Sequence, residues 1–359
     1  MNARNSLRLR RGKACLAPTI FALIAILCGG VIAAKSRPDQ ALDSLHRGQG
    51  FLKLQANAQA LAAFREAVRL DPKLAPAYDG LGIAYCRKGQ VDPGRQALAQ
   101  AQALDPKNPA YPFSLGICED SRGPQGFPAA LAAFEKAGAL DPQNPGIQFQ
   151  IGSELQKLHR HRDAVARFQR AIELDPKMFV AYNNLGVSLA VLGEFEQAVK
   201  LYQQAIKLHP ELAGLSLYTN LGIAFLYQNN LPRAEAAFTM ETAINPDHLD
   251  AHLNLGNIYA VQGRTDEALQ EYRRVLAIAP QNRQARINLS IIYISQKKPA
   301  DAQKLLLPLL HDFPNDPAAH FYLGKSYSLQ GDHARANSEF SRAQSLGFQL
   351  QPAAPPPKP

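Results

Sequence analysis

Four asparagines, Asn184, Asn220, Asn254 and Asn288, recur 36, 34 and 34 residues apart, each directly ahead of a Leu-Gly or Leu-Ser pair. A carboxamide carries both a donor and an acceptor, so a row of them can pair with the main chain of an extended peptide whatever its side chains. Val187, Ile223 and Ile291 stand three residues after three of these asparagines and supply apolar contact beside them, with Leu226 and Ile294 further along. Four net hydrogen bonds at about 1 kcal/mol each fall short of the about 8 kcal/mol that micromolar binding requires. The apolar neighbours must therefore contribute.

Other groups with chemical potential are scattered. His248 and His252 stand four apart with no third ligand near them in sequence, and His159 and His161 fall in an expected turn, so no metal is assigned. Cys86 and Cys118 show no metal-ligand spacing; on an exported chain they can form a disulfide, or they are two small buried helix residues. No hydrolase elbow, phosphate-binding loop or HExxH string occurs. No catalytic residue, cofactor or small-molecule substrate is expected, and the chain reads as a non-enzymatic binding protein.

The elements that position the asparagines repeat. LGIAY (Leu81 to Tyr85) returns as LGVSL from Leu185, LGIAF from Leu221, LGNIY from Leu255 and LGKSY from Leu323. Between them ALAAFREAVRLDP (Ala60 to Pro72) returns as AVARFQRAIELDP from Ala164 and ALQEYRRVLAIAP from Ala268. Each repeat thus predicts two helices, A and B. The first small position is Gly48, Gly82, Gly116, Gly152, Gly186, Gly222, Gly256, Ser290 and Gly324. Glycine inside a helix costs about 1 kcal/mol relative to alanine, so its recurrence requires close helix packing. Helix B answers with a small residue, Ala198 in the fifth repeat, and four residues later a large one, Tyr202. Prolines such as Pro72, Pro176 and Pro280 then end helix B.

This pattern resembles the tetratricopeptide repeat (TPR) family, with its 34-residue period and its L-G-x-x-Y, A-x-x-x-F and P positions. The resemblance implies an all-α helix-turn-helix solenoid, a right-handed superhelix of nine repeats over residues 41–350, with helix A lining a concave groove. Extra residues near Arg122 to Pro128 and at Ala213-Gly214 are expected to change the pitch locally. In the last repeat Asn337 and Gln344 replace the apolar residues that other repeats stack on a neighbour, as a terminal cap requires. Residues 351–359 are a Pro-rich tail.

The same resemblance bears on partners. In the TPR domain of protein O-GlcNAc transferases, asparagines at this repeat position hold substrate peptide backbone, which is the role expected here. With nine residues after the last repeat, no transferase domain is expected. A carboxylate clamp of the co-chaperone kind is not expected either, because its cationic positions hold Leu253, Ala318 and Tyr322. The partners expected are other proteins or peptides, with self-association through the convex face or the ends as the alternative.

Charge excludes one class and supplies an address. Of the net +9, residues 1–40 carry +6 and the remaining body only +3, too little for a phosphate-binding surface, so no nucleic acid is expected. Arg4 to Lys13 precede an uncharged stretch, Ala14 to Ala34, which as a helix spans about 31 Å, one hydrocarbon core. Residues 1–40 therefore predict a signal peptide with cleavage near Ala33, or an N-terminal membrane anchor, followed by a linker. Cys28 follows Leu27 rather than a small residue, so lipidation is not expected. The body is expected to be extracytoplasmic, periplasmic or secreted. A reporter enzyme that is active only after export, fused behind residue 350, should be active; activity confined to a reporter that works only in the cytoplasm would refute this address.

Overall fold

The computed structural model describes residues 35–210 and 216–348. The expected signal or anchor segment, the insertion at Ala213-Gly214 and the Pro-rich tail lie outside them. Eighteen α-helices follow one another among the described residues. The described residues divide into two compact parts, one up to Lys107 and one from Asn108. The first holds α1 (Arg37–Lys53), α2 (Asn57–Leu70), α3 (Ala75–Arg87) and α4 (Val91–Leu104). The second holds α5 (Ala110–Asp120), α6 (Phe127–Leu140), α7 (Pro145–Lys157), α8 (His161–Leu174), α9 (Phe179–Val191), α10 (Phe195–Leu208) and α11 (Leu217–Tyr227). It continues with α12 (Leu231–Ile244), α13 (Leu249–Val261), α14 (Thr265–Ile278), α15 (Arg283–Ser295), α16 (Pro299–Asp312), α17 (Pro317–Leu329) and α18 (His333–Ser345). No helix of the described residues is long and apolar enough to cross a membrane.

Within each part the helices pack as consecutive hairpins. Helix α1 begins at Arg37, inside the stretch expected to be linker, because Ser36 accepts a hydrogen bond from the Asp39 amide at 3.3 Å and Pro38 favours the first turn. The glycines of the first helix in each pair sit under a side chain of the second. A methyl group added at Gly186 would lie 2.6 Å from the Tyr202 ring, and one at Gly48 or Gly116 would lie 2.5 Å from Phe64 or Phe134. The close approach is thus mainly ring to backbone, with alanines such as Ala60, Ala164 and Ala198 fully buried beside it. Phe64, Phe134, Phe168 and Phe238 are wholly buried, worth about 1.5–3 kcal/mol each.

The turns inside the hairpins share one device. Gly89, Gly193, Gly263 and Gly331 take left-handed φ angles of 73° to 85°, and His159, Asn229 and Lys297 take φ of 56° to 59° at the corresponding places. A left-handed residue after a helix lets the next amides reach back to its last carbonyls. The extra residues after Arg122 form a single 3-10 turn, Gly123–Gln125. Gly126 is required there, since a Cβ would fall 1.9 Å from the Glu119 carbonyl oxygen. In α18 Asn337 and Gln344 are exposed.

One core position breaks the pattern. Ala67, Ala137, Ala171, Ala205, Val275 and Leu309 fill the same buried place in their helices, and α12 puts Glu241 there, 0% exposed. Neither carboxylate oxygen makes a well-formed hydrogen bond among the described residues; His248 Nε2 lies 3.9 Å away, and Thr219 of α11 also acts on the carboxylate. Burial pushes the Glu241 carboxyl above its ordinary value, with His248 as the first opposing influence.

Two outcomes follow. Gly186→Leu should overpack the seam with Tyr202 and cost about 1–3 kcal/mol, read as a lowered melting temperature with hairpins far along the array least affected. For Glu241 the folded state holds its proton more tightly than the unfolded chain, so stability is full below the usual carboxylate range and declines as pH rises above it. Glu241→Gln should remove that decline; parallel melting curves of both proteins against pH would refute the assignment.

Candidate functional site

The expected peptide-binding residues lie on the first helices of four successive hairpins, α9, α11, α13 and α15. Leu185, Leu221, Leu255 and Leu289 are buried, which leaves the asparagine one step before each of them half-buried at the edge of the helix. Their amides already have internal partners, in three different ways. Asn220 Nδ2 donates to Asn183 Oδ1 at 3.0 Å, and Asn183 Nδ2 donates to Asn184 Oδ1 at 3.2 Å, so one amide chain joins α11 to α9. Asn254 instead donates to the Asp250 carbonyl of its own helix at 2.8 Å. Asn288 donates to Asn257 Oδ1 at 2.8 Å and accepts from Gln284 Nε2 at 2.8 Å. Tyr272 donates its hydroxyl to the same Asn257 oxygen at 2.8 Å, and burial pushes that phenol up to about 12.

The four are therefore not one uniform ladder. Asn184 with Asn220, and Asn288 with Asn257, form two amide groups, and Asn254 sits between them on its own backbone. Among the described residues, the Asn184 amide nitrogen and the Asn220 and Asn254 carbonyl oxygens remain for a ligand.

The first group opens beside a cleft of about 360 Å³ lined by Val187, Val191, Phe195, Asn220, Ile223 and Tyr227, among others. Three expected site residues, Val187, Asn220 and Ile223, meet there. Ile291 does not; it packs against the core around Ile287 and Leu306. Val191, Phe195 and Tyr227 were not among the expected residues. Phe195 and Tyr227 stack with ring centroids 4.6 Å apart at 5°, and Tyr227 is 69% exposed. Val191 and Val261 occupy the same place in their helices as Tyr227 and are 61% and 75% exposed. The signal was present: this place holds Arg87 and Lys157 in earlier repeats.

The histidines and cysteines resolve separately. His248 Nδ1 caps α13 by accepting from the Ala251 amide, and His252 bridges Glu271 at 2.6 Å and the Pro246 carbonyl at 2.9 Å. That carbonyl task recurs with other chemistries: Gln148, Tyr182, Arg286 and His320 each donate to the carbonyl of Pro142, Pro176, Pro280 and Pro314. His161 is held below its ordinary value by burial and then by His159. Cys118 is buried, and Cys86 and Cys118 are each disulfide-bonded.

Sequence profiles described as tetratricopeptide repeat match residues 45–109, 149–213, 219–283 and 262–325, more than half of the chain. The chain belongs to the tetratricopeptide repeat family. Among solved TPR structures, the C-terminal part of a TPR repeat-containing protein from Cytophaga hutchinsonii is 15% identical. The match covers 68% of this chain and 99% of that one, with a TM-score of 0.57, and shows the shared fold. YrrB, a TPR protein with an unusual peptide-binding site, is 21% identical over 58% of this chain and 97% of its own, with a TM-score of 0.43. MamA is 19% identical over 49% and 94%, with a TM-score of 0.42. No curated protein matches the sequence. TPR arrays are protein–protein interaction scaffolds, and that is the class of this chain.

Proposed function

We propose that the chain is a non-enzymatic scaffold of nine TPR repeats that binds extended peptide segments along α9, α11, α13 and α15, outside the cytoplasm, in envelope export or assembly. The observation that carries the reading is the amide chain Asn220–Asn183–Asn184 beside an open apolar cleft. Side-chain amides that can pair with a peptide's main chain, next to a pocket for one of its side chains, are what an extended segment needs. Asn254 and Asn288 extend the polar row on the following helices. The disulfide-bonded state of Cys86 and Cys118 supports the extracytoplasmic address, since disulfides persist in oxidising compartments. The basic flank ahead of Ala14 to Ala34 supports the same direction, with the segment either cleaved or kept as a membrane anchor.

The test replaces Asn184, Asn220, Asn254 and Asn288 together by alanine. Peptides are first selected from an unbiased library on the intact chain as isolated from cells, and their affinities for the variant are then measured. Helical content and melting should stay nearly intact. Affinity should fall by about 1.5–3 kcal/mol, from the three free amide groups of Asn184, Asn220 and Asn254 at about 0.5–1 kcal/mol per net hydrogen bond. A large loss of stability would make the asparagines structural, and unchanged affinity would place binding elsewhere.

A further inference from the structure

The cleft beside Asn220 carries a chemical preference. None of the residues that line it is acidic, basic or histidine. The property extends to the helices themselves: α9 (FVAYNNLGVSLAV) and α11 (LYTNLGIAFLY) contain no Asp, Glu, Lys, Arg or His. The corresponding helices elsewhere all carry charge, with Asp79 and Arg87 on α3, Glu119 and Asp120 on α5, Glu154 and Lys157 on α7, Asp250 on α13, Arg283 and Arg286 on α15 and Lys325 on α17. Two charge-free helices that both pack on α10 and touch one another are a local exception.

Water-exposed apolar side chains gather at this exception. Val191 and Tyr227 keep 61% and 69% of their surface exposed, although a long cation fits the same place, as Arg87 and Lys157 show. The stacked Phe195 and Tyr227 rings line the cleft together with the branched side chains of Val187 and Ile223. Removing a charge from water without a partner is costly, so a charged side chain entering here would give up part of its water and meet no counter-charge among the lining residues. An aromatic or branched aliphatic side chain would lose only water-exposed apolar surface, at about 25 cal/mol per Å².

From this we infer that the α9–α11 cleft selects an extended peptide with neutral flanks by seating one aromatic or branched aliphatic side chain against Phe195 and Tyr227. The Asn220 carbonyl and the Asn184 amide hold the main chain on either side. This rests on the peptide-groove reading and adds to it the class of segment recognised.

The experiment measures fluorescence anisotropy of labelled, end-capped nine-residue peptides with the full chain as isolated from cells. All share a glycine-serine frame; one carries phenylalanine and leucine two residues apart, and the others carry alanine, glutamate or lysine at both places. The phenylalanine-leucine peptide should bind at least tenfold more tightly than the alanine peptide, and the charged peptides more weakly still. The double variant Val191→Ser, Tyr227→Ser should remove that advantage while its melting temperature stays within a degree or two. Equal binding of all four peptides, still weakened by the four asparagine replacements, would overturn the apolar selection and leave the groove reading standing. Binding of library-selected peptides without any binding of the phenylalanine-leucine peptide would do the same. If library-selected peptides also fail to bind, the groove reading itself falls. A fall from dimer to monomer caused by the double variant, read by light scattering, would make a second copy of the chain the occupant and overturn the proposal.

Discussion

A side chain lying flat on a glycine is the contact on which the hairpins depend. Helices of ordinary composition keep their axes 8–10 Å apart because Cβ atoms intervene. Removing that atom at Gly186 lets the Tyr202 ring rest against the backbone, and the same exchange appears at Gly48 with Phe64 and at Gly222 with Phe238. The glycine costs about 1 kcal/mol of helix propensity, and the burial of a whole aromatic ring more than offsets it. Once the two positions are tied, helix B has little freedom to rotate. Its next buried place, one turn on, must then be small or apolar, as Ala67, Ala171 and Ala205 are. Glu241 is the exception, and its raised carboxyl is the consequence.

The same contact frees other surfaces for variation. Helix A spends one face on the ring of helix B, so residues one and five positions after the glycine point elsewhere and can differ from repeat to repeat. In α7 the later of these is Lys157, which joins Glu154 at 2.7 Å and Asp120 at 2.5 Å. In α9 and α11 they are Val187, Val191, Ile223 and Tyr227, and a cleft results. The place four before the glycine does one job with several chemistries, since Gln148, Tyr182, His252, Arg286 and His320 all reach a proline carbonyl. A histidine there is a hydrogen-bond donor to the backbone and not evidence of a metal.

How a row of asparagines behaves depends on their neighbours rather than on their spacing. Asn183 stands between Asn184 and Asn220 and joins them, whereas the residue equivalent to Asn183 in α13 is Leu253, which cannot. Asn254 consequently turns to the Asp250 carbonyl. Asn257 takes over the linking role toward Asn288, and does so because Tyr272 orders its carbonyl oxygen from helix B.

The helices, their pairing and the family were legible in the amino-acid order because each depends on local or periodic information: glycine and alanine in phase, a large residue one turn later, proline after the second helix. So were the exposure of Asn337 and Gln344 and the half-buried place of the four asparagines. The cleft was not legible, because it is made by residues from three helices, and the stack of Phe195 on Tyr227 joins positions 32 apart in sequence at 4.6 Å. The exposure of Val191 and Tyr227 was legible only by comparison with Arg87 and Lys157 at the same place of earlier repeats, since an apolar residue late in a helix by itself reads equally as core. The oxidised state of Cys86 and Cys118 and the burial of Glu241 belong to the same class as the cleft. Sequence determines what each residue offers; only tertiary packing decides which offers meet, because burial and partnership are properties of places rather than of residues.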